Sequence, residues 1–299
     1  MTHPGSRLRA LIHQPEIAVL PGVHDALSAR IAAAQGFKAV LGSGNAATGT
    51  LLAAPDMGQL GMRDFADHYA RVVAAARIPV LADADTGFGG IHNVVQTVRA
   101  FERAGCAGLF MEDQVTPKRC GYLAGKAVVP VEDQLAKLAA ALDARTDPAF
   151  VICARTDALA VEGEEAAIRR AQMYQRTGVD MVFVQGADTP DQLRRVCQAV
   201  PGPHMANVSQ ASSGARLTVD AAEAAGAALV IFPVAAMLAA AAAMERVLAA
   251  LMRDRSLDQV DGALMPMARY LDLVGLAELQ AREDRYGGLA RSIGAQGAP

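Results

Sequence analysis

The chain has 299 residues, 52% of them apolar, with aromatics at 4% and no tryptophan. A formal charge of −3 without a basic run argues against a nucleic-acid partner. Four scattered cysteines with no C-x-x-C pair argue against a disulfide framework or a zinc site and leave the cytoplasm as the expected compartment.

The N-terminus has no apolar h-region and does not read as a signal peptide. Short apolar runs then recur at 17–20, 38–41, 79–82, 108–111, 150–154, 181–184, 204–206 and 229–232. Each is followed by a helix-like segment. At 62–77 and 95–104 apolar residues return at three- and four-residue spacing, and Thr189-Pro190-Asp191 has the form of a helix start. Eight strands alternating with helices predict an α/β fold, a (β/α)8 TIM barrel spanning 1–255. The apolar stretch 224–244 is broken by Gly226 and Pro233 and reads as strand, loop and Ala-rich helix, so no membrane partner is expected. Residues 256–299 read as a C-terminal helical extension for subunit contact, with a disordered tail possible from about Gly287.

Polar residues follow the strands in turn. They are Ser43 and Gly44 after the second, Asp83 and Asp85 after the third, Glu112 after the fourth, Arg155 after the fifth, Gln185 after the sixth, and Asn207 and Ser209 after the seventh. In a barrel of this kind all those ends open on one face, where active sites lie. Asp83 and Asp85 have alternate spacing and can point the same way. With Glu112, and Asp56 from a preceding loop, they form an all-oxygen set suited to Mg2+ or Mn2+, although an aspartate here can also cap a helix. Arg155 can hold a carboxylate in bidentate fashion or pair with Asp157. The loop Lys118-Arg119-Cys120-Gly121 sets a thiol beside two cations, a setting that favours thiolate. Cys106, Cys153 and Cys197 read as inert packing residues. Gly42, Gly44 and Gly49 lack the spacing of a dinucleotide fingerprint.

Taken together, these segments resemble the isocitrate lyase/phosphoenolpyruvate mutase superfamily. The resemblance runs through Pro21-Gly-Val-His-Asp-Ala-Leu-Ser-Ala-Arg30, Gly42-Ser-Gly44, Leu81-Ala-Asp-Ala-Asp-Thr-Gly-Phe-Gly89, Met111-Glu-Asp-Gln114, Lys118-Arg-Cys-Gly121, Gly125-Lys-Ala-Val-Val-Pro130 and Ala154-Arg-Thr-Asp157. It implies a Mg2+ enzyme in which Asp85 is the nearest metal ligand and Asp83, Glu112 and Asp56 support it. Ser43 and Gly44 would grip the substrate carboxylate. Arg155 would hold the same α-oxyacid unit, and Cys120 would donate a proton from a mobile loop at about 115–129. Lys118 joins the catalytic set, and Gly121, Tyr122, Gln185, Asn207 and Ser209 join the substrate contacts. The Lys-Arg-Cys-Gly sequence is similar to the carbon–carbon lyase branch, which acts through an enolate. The resemblance also implies homotetramers that exchange a C-terminal helix.

Three positions depart from the isocitrate and methylisocitrate lyases. Tyr122 replaces a histidine, Leu41 an aromatic residue, and Gln185 a glutamate. The segment from Pro233 also lacks a hydroxyl for a third carboxylate. A C4–C6 2-hydroxy or 2-keto dicarboxylate is therefore expected, such as dimethylmalate, citramalate or oxaloacetate. Oxaloacetate hydrolysis or decarboxylation is the alternative chemistry, which Asn207-Val208-Ser209 leaves open. A non-catalytic metal-binding relative is the alternative outside catalysis.

Overall fold

The computed structural model describes residues 3–209 and 217–296. The chain forms two compact units, one up to Ala239 and one from Ala240 onward. In the first, all eight expected strands are present with small shifts at their ends: β1 Ala18–Val23, β2 Val40–Gly42, β3 Val80–Asp83, β4 Gly108–Glu112, β5 Val151–Thr156, β6 Met181–Val184, β7 Met205–Asn207 and β8 Leu229–Phe232. They are parallel throughout, in the order β6-β5-β4-β3-β2-β1-β8-β7. A parallel bridge from Val182 to His204 joins the two ends of that order, with the Val182 N–H donating to Pro203 O at 3.1 Å. The fold is therefore a (β/α)8 barrel, as the strand count predicts.

The helices begin where the residue chemistry allows. Thr189 caps the helix Pro190–Ala199, its side chain accepting from the Gln192 N–H at 3.3 Å. The helices Met62–Ala76 and Ile91–Arg103 turn Phe65, Tyr69 and Phe101 inward onto the barrel, all fully buried. The Tyr69 hydroxyl donates to Gly42 O at 3.0 Å and to Asp83 O at 3.1 Å, fixing the C-terminal ends of β2 and β3 to each other. The N-terminal helix Pro4–His13 packs Leu8 and Ile12 against Ala18, Ala39, Ala107 and Val151, at the end of the barrel where the strands start. Burying those two side chains contributes about 1.5–3 kcal/mol each.

Strand parity decides what reaches the opposite end. The barrel interior holds Leu41, Leu81, Phe110, Cys153, Phe183, Met205 and Ile231. Two residues further along the chain, at the strand ends or one residue past them, stand Ser43, Asp83, Glu112, Arg155, Gln185, Asn207 and Pro233. Side chains alternate sides along a strand, so the residue two beyond an interior one points inward again, toward the mouth.

The second unit contains the later turns of the helix Ala235–Asp254, then the helices Met267–Leu273 and Leu276–Gln296. The division between the two units, at Ala239/Ala240, falls inside that continuous helix. The tail considered as disorder from Gly287 is helical through Gln296, where Leu289, Ala290 and Arg291 offset the low helix propensity of Gly287 and Gly288. Residues 297–299 lie outside the described residues. The stretch 224–244 divides as expected, with β8 and Pro233 ahead of the helix Ala235–Asp254. Among the described residues this is the one helix long and apolar enough to cross a membrane, with mean hydropathy 1.6.

Candidate active site

The mouth of the barrel encloses a cavity of about 90 Å³. Its polar wall comes from Ser43, Asn45, Asp56 and Asp83 on one side and Arg155, Gln185, Asn207 and Ser209 on the other. The loop after β4 adds Lys118, Cys120, Gly121 and Tyr122. The floor is apolar, built from Leu41, Phe110, Phe183 and Ile231. At about 10–15 Å³ per water position, the space holds roughly six to nine waters, the size of a small organic diacid.

Of the expected site residues, Gly44, Asp85 and Glu112 stand behind this wall and act through others. The Gly44 N–H donates to Asp83 Oδ2 at 3.2 Å. It therefore orients a carboxylate rather than offering an open donor. β3 stops at Asp83, so Asp85 lies past the strand, at φ +45°, with its N–H donating to Asp83 Oδ1 at 3.0 Å. A turn, not strand alternation, sets its direction. Lys118 Nζ stands 2.6 Å from both Asp56 Oδ2 and Asp85 Oδ1.

Glu112 and Arg155 face each other across β4 and β5 in register, and the guanidinium lies 3.0 Å from Glu112 Oε2. Asp157, the acid expected to pair with Arg155, also takes its Nε at 2.8 Å and an Nη at 3.2 Å. The guanidinium lies 5.4 Å from the centroid of the Phe183 ring.

Burial raises the carboxyls of Asp83, Asp85 and Glu112, Asp85 to about 7. Burial also opposes charge on Lys118, but Asp85, Glu112, Asp83 and Asp56 outweigh it and hold the ammonium well above its ordinary range. Lys118 is therefore a fixed cation rather than a base. For Asp157, Arg155 and Lys126 likewise overcome burial and hold its carboxyl below the usual range.

The cations beside Cys120 in sequence have other partners. Lys118 turns in to the acids and Arg119 donates to Ala124 O at 3.1 Å. The Cys120 thiol accepts from the neutral Asn45 amide, with Nδ2 at 3.2 Å from Sγ. Within the loop, Cys120 N donates to Asp56 O at 3.0 Å, and the Gln114 side chain bridges Arg119 N and O. Lys126 donates to Gly121 O and, at 3.0 Å, to Asp157 Oδ1.

Asn45, Lys126, Phe110 and Phe183 are the site residues the sequence reading passed over. Asn45 follows the Ser43-Gly44 pair directly, and the two phenylalanines precede Glu112 and Gln185 by one strand repeat. Nothing in sequence marks Lys126 beyond its place in a matching motif. The remaining cysteines are packing residues as expected: burial pushes the Cys106 thiol up to about 12 and Cys197 to about 11, and raises Cys153 too.

The acids fit a hydrated divalent cation. Asp56 Oδ1 and Glu112 Oε1 are buried without a hydrogen-bond partner, and the raised carboxyls call for positive charge. Among the described residues no three acids, histidines or cysteines converge as direct ligands. Mg2+ tolerates this, since it binds through one or two carboxylates and keeps waters.

Residues 8–252 match the phosphoenolpyruvate phosphomutase family. The chain is 39% identical to the 2-methylisocitrate lyase of Aeropyrum pernix, over 95% of this chain and 91% of that protein. It is 35% identical to the 2,3-dimethylmalate lyase of Eubacterium barkeri, over 94% and 97%. Among solved structures it superposes with a TM-score of 0.90 on an oxaloacetate acetylhydrolase bound to 3,3-difluorooxalacetate (32% identity, 95% of this chain and 97% of that one). A phosphonopyruvate hydrolase complexed with oxalate and Mg2+ gives 0.86 (31%, 95% and 99%). The fold, the strand-end acids and these likenesses define a TIM-barrel enzyme of the carbon–carbon lyase class. The chain belongs to the isocitrate lyase/phosphoenolpyruvate mutase superfamily.

Proposed function

We propose that this enzyme is a Mg2+-dependent lyase cleaving the C2–C3 bond of a 2-hydroxy dicarboxylate of the methylisocitrate, dimethylmalate or citramalate type. The observation that carries the reading is the sharing of one cavity by the Cys120 thiol, the Arg155 guanidinium and the carboxylates of Asp56 and Asp83, with Asp85 and Glu112 paired to its Lys118 and Arg155 from behind the wall. Asp85, Asp83, Glu112 and Asp56 would hold the metal, directly or through water. When bound, it supplies positive charge for the α-oxyacid unit and for charge developing in the transition state.

The chain's own groups account for the remaining steps. Arg155, fixed by Asp157 and Glu112, presents a rigid cation to the substrate. The C2 hydroxyl gives its proton to a carboxylate that lines the cavity, Asp83 or Asp56. The C2–C3 electron pair leaves with C3, C2 becomes the carbonyl carbon of a 2-oxo acid, and the carbanion delocalises into its neighbouring carboxylate. Cys120 then gives the S–H proton to C3, with the loop shielding the carbanion from water. Proton NMR across a panel of 2-hydroxy and 2-oxo acids with Mg2+ identifies the substrate. Cys120→Ser should lower cleavage about 10²–10⁴-fold, and full activity in that variant rejects the mechanism.

A second reading, hydrolysis or decarboxylation of oxaloacetate, is favoured by the likeness to oxaloacetate acetylhydrolase and by the neutral Gln185. It uses the same metal and Arg155, but its acetate or pyruvate enolate takes its proton from water rather than from Cys120, so the Cys120→Ser variant separates the two. We take the C-terminal helices as subunit contacts in a helix-exchanging homotetramer, supported by the exposed Met252, Leu289 and Ile293. The partners are a carboxylate substrate and further copies of the chain, without nucleic acid or membrane. The compartment is the cytoplasm, in keeping with four free cysteines.

A further inference from the structure

Asn45 has no part in the mechanism above, yet it touches the group that performs the last step. It lines the cavity with Cys120 and turns its amide to the thiol, Nδ2 lying 3.2 Å from Sγ. The two residues stand on unlike supports. Asn45 is in the first turn of the helix Gly44–Leu52, which Ser43 caps by accepting from the Ala46 N–H at 3.3 Å. Thr48 Oγ1 donates to Gly44 O at 2.9 Å and the Gly44 N–H donates to Asp83 Oδ2, so that turn is pinned to its own backbone and to β3. Cys120 stands on the loop after β4, its backbone N–H donating to Asp56 O at 3.0 Å. That bond fixes the Cys120 main chain but leaves its side chain free to turn about one bond, among three staggered positions.

The direction of the Asn45 bond matters. Its nitrogen faces sulfur, so the amide donates and the thiol accepts through a lone pair. The S–H is not consumed by the contact and stays available to a carbanion in the cavity. With the amide reversed, its oxygen would take the S–H and withhold the proton. The bond also strengthens as the proton leaves. When the S–H gives its proton to C3, sulfur keeps the bonding pair and becomes anionic, and a hydrogen bond to an ion is roughly twice as strong as one between neutral groups. An interaction that grows along the reaction favours the transition state over the bound substrate, so it acts on kcat more than on KM.

We infer that Asn45 is the positioning residue for the proton donor. From a fixed helix turn it holds the Cys120 thiol at the cavity with the S–H free, and it stabilises the sulfur as the proton departs. The inference rests on the reading of Cys120 as the acid, and it names the barrel side chain that makes a loop thiol effective in that role. The rival is a direct contact from Asn45 to the substrate, which would not depend on the sulfur.

The test is a double-mutant cycle on 2,3-dimethylmalate, 2-methylisocitrate and citramalate with excess Mg2+. Each of these acids gives pyruvate on C2–C3 cleavage, which proton NMR follows. Asn45→Leu, close in size but without the N–H, should lower kcat about 10- to 100-fold with KM within about threefold of wild type. In the Cys120→Ala background the same change should cost less than about twofold, because the partner through which Asn45 acts is gone. Asn45→Ala repeats both measurements with a smaller side chain, and thermal melting establishes that each variant is folded. Equal losses from Asn45→Leu in the two backgrounds overturn the inference, since Asn45 would then act on the substrate itself. So does a folded Asn45 variant with kcat within about twofold of wild type. Failure of the underlying reading looks different. Cys120→Ala that cleaves as fast as wild type removes the thiol from the chemistry. Wild-type enzyme that yields pyruvate from none of the three acids removes the lyase reading, and the inference falls with either.

Discussion

Gly121 is the place where the thiol loop meets the barrel, and its substitution by alanine tests whether that contact is functional. A Cβ built there would lie 2.7 Å from an Arg155 Nη and 2.8 Å from Gln185 Cδ. Ordinary contact begins near 3.4 Å, so the nearer approach is about 0.7 Å too close. Arg155 cannot retreat cheaply, because Glu112 and Asp157 hold its guanidinium from two sides. The loop must move instead, and Cys120 moves with it. Overpacking of this kind costs about 1–3 kcal/mol. At 1.4 kcal/mol per decade this is roughly a 5- to 150-fold loss, and displacement of a reacting group has an effect of similar size. Steady-state assays on the acid that the NMR panel identifies should therefore show kcat/KM reduced by about 10–100-fold. Gly90→Ala is the control, since nothing lies within 4 Å of the added methyl. Activity of Gly121→Ala within twofold of wild type would mean that the loop closes against some other surface, and the reasoning would fail.

Lys126→Met removes the tie from the loop to Asp157, and with it one of the cations that hold Asp157 charged. A loss of about tenfold or more in kcat/KM is expected, with partial recovery in Lys126→Arg; unchanged kinetics would assign the tie to stability alone. His204 is a buried histidine whose pKa is lowered by desolvation. Below its ordinary value of about 6.5 the unfolded chain takes up a proton that the folded chain does not. Its contribution to stability is therefore full above that pH and is lost as pH falls, at up to about 1.4 kcal/mol per pH unit until the lowered folded pKa is reached. The buried acids titrate in the opposite sense, so the readout is the difference in urea-unfolding free energy between wild type and His204→Gln from pH 8 to 5. A pH-independent difference contradicts the assignment. Chelation by EDTA should abolish turnover and added Mg2+ restore it, while turnover that persists in metal-free enzyme would exclude the metal from the chemistry.

The architecture was legible because a parallel barrel writes itself as short apolar runs with one helix between each pair. The site was legible for a related reason. A polar residue two places beyond an interior one must emerge at the mouth, and Asp83, Glu112, Arg155, Gln185 and Asn207 all obey that spacing. Asp85 does not, because its direction comes from a turn with positive φ that alternation cannot foresee. Strand parity also says nothing about loops. Lys118, Arg119 and Cys120 are adjacent in sequence, which suggested a thiol bathed in positive charge. In the structure their partners are two acids, a carbonyl and an amide.

That difference changes what the thiol is suited to do. A cysteine flanked by free cations would be drawn toward thiolate and nucleophilic attack. In the structure Lys118 pairs with Asp56 and Asp85, and the group bonded to Sγ is the Asn45 amide. A carbanion formed in the cavity needs a proton rather than a nucleophile, and the Cys120 thiol lines that cavity. Arg155 lines the same cavity, where charge develops on the substrate. The two demands of the proposed chemistry, a proton donor and a field that stabilises an anion, thus fall on different parts of the barrel mouth, Cys120 on the loop after β4 and Arg155 on β5.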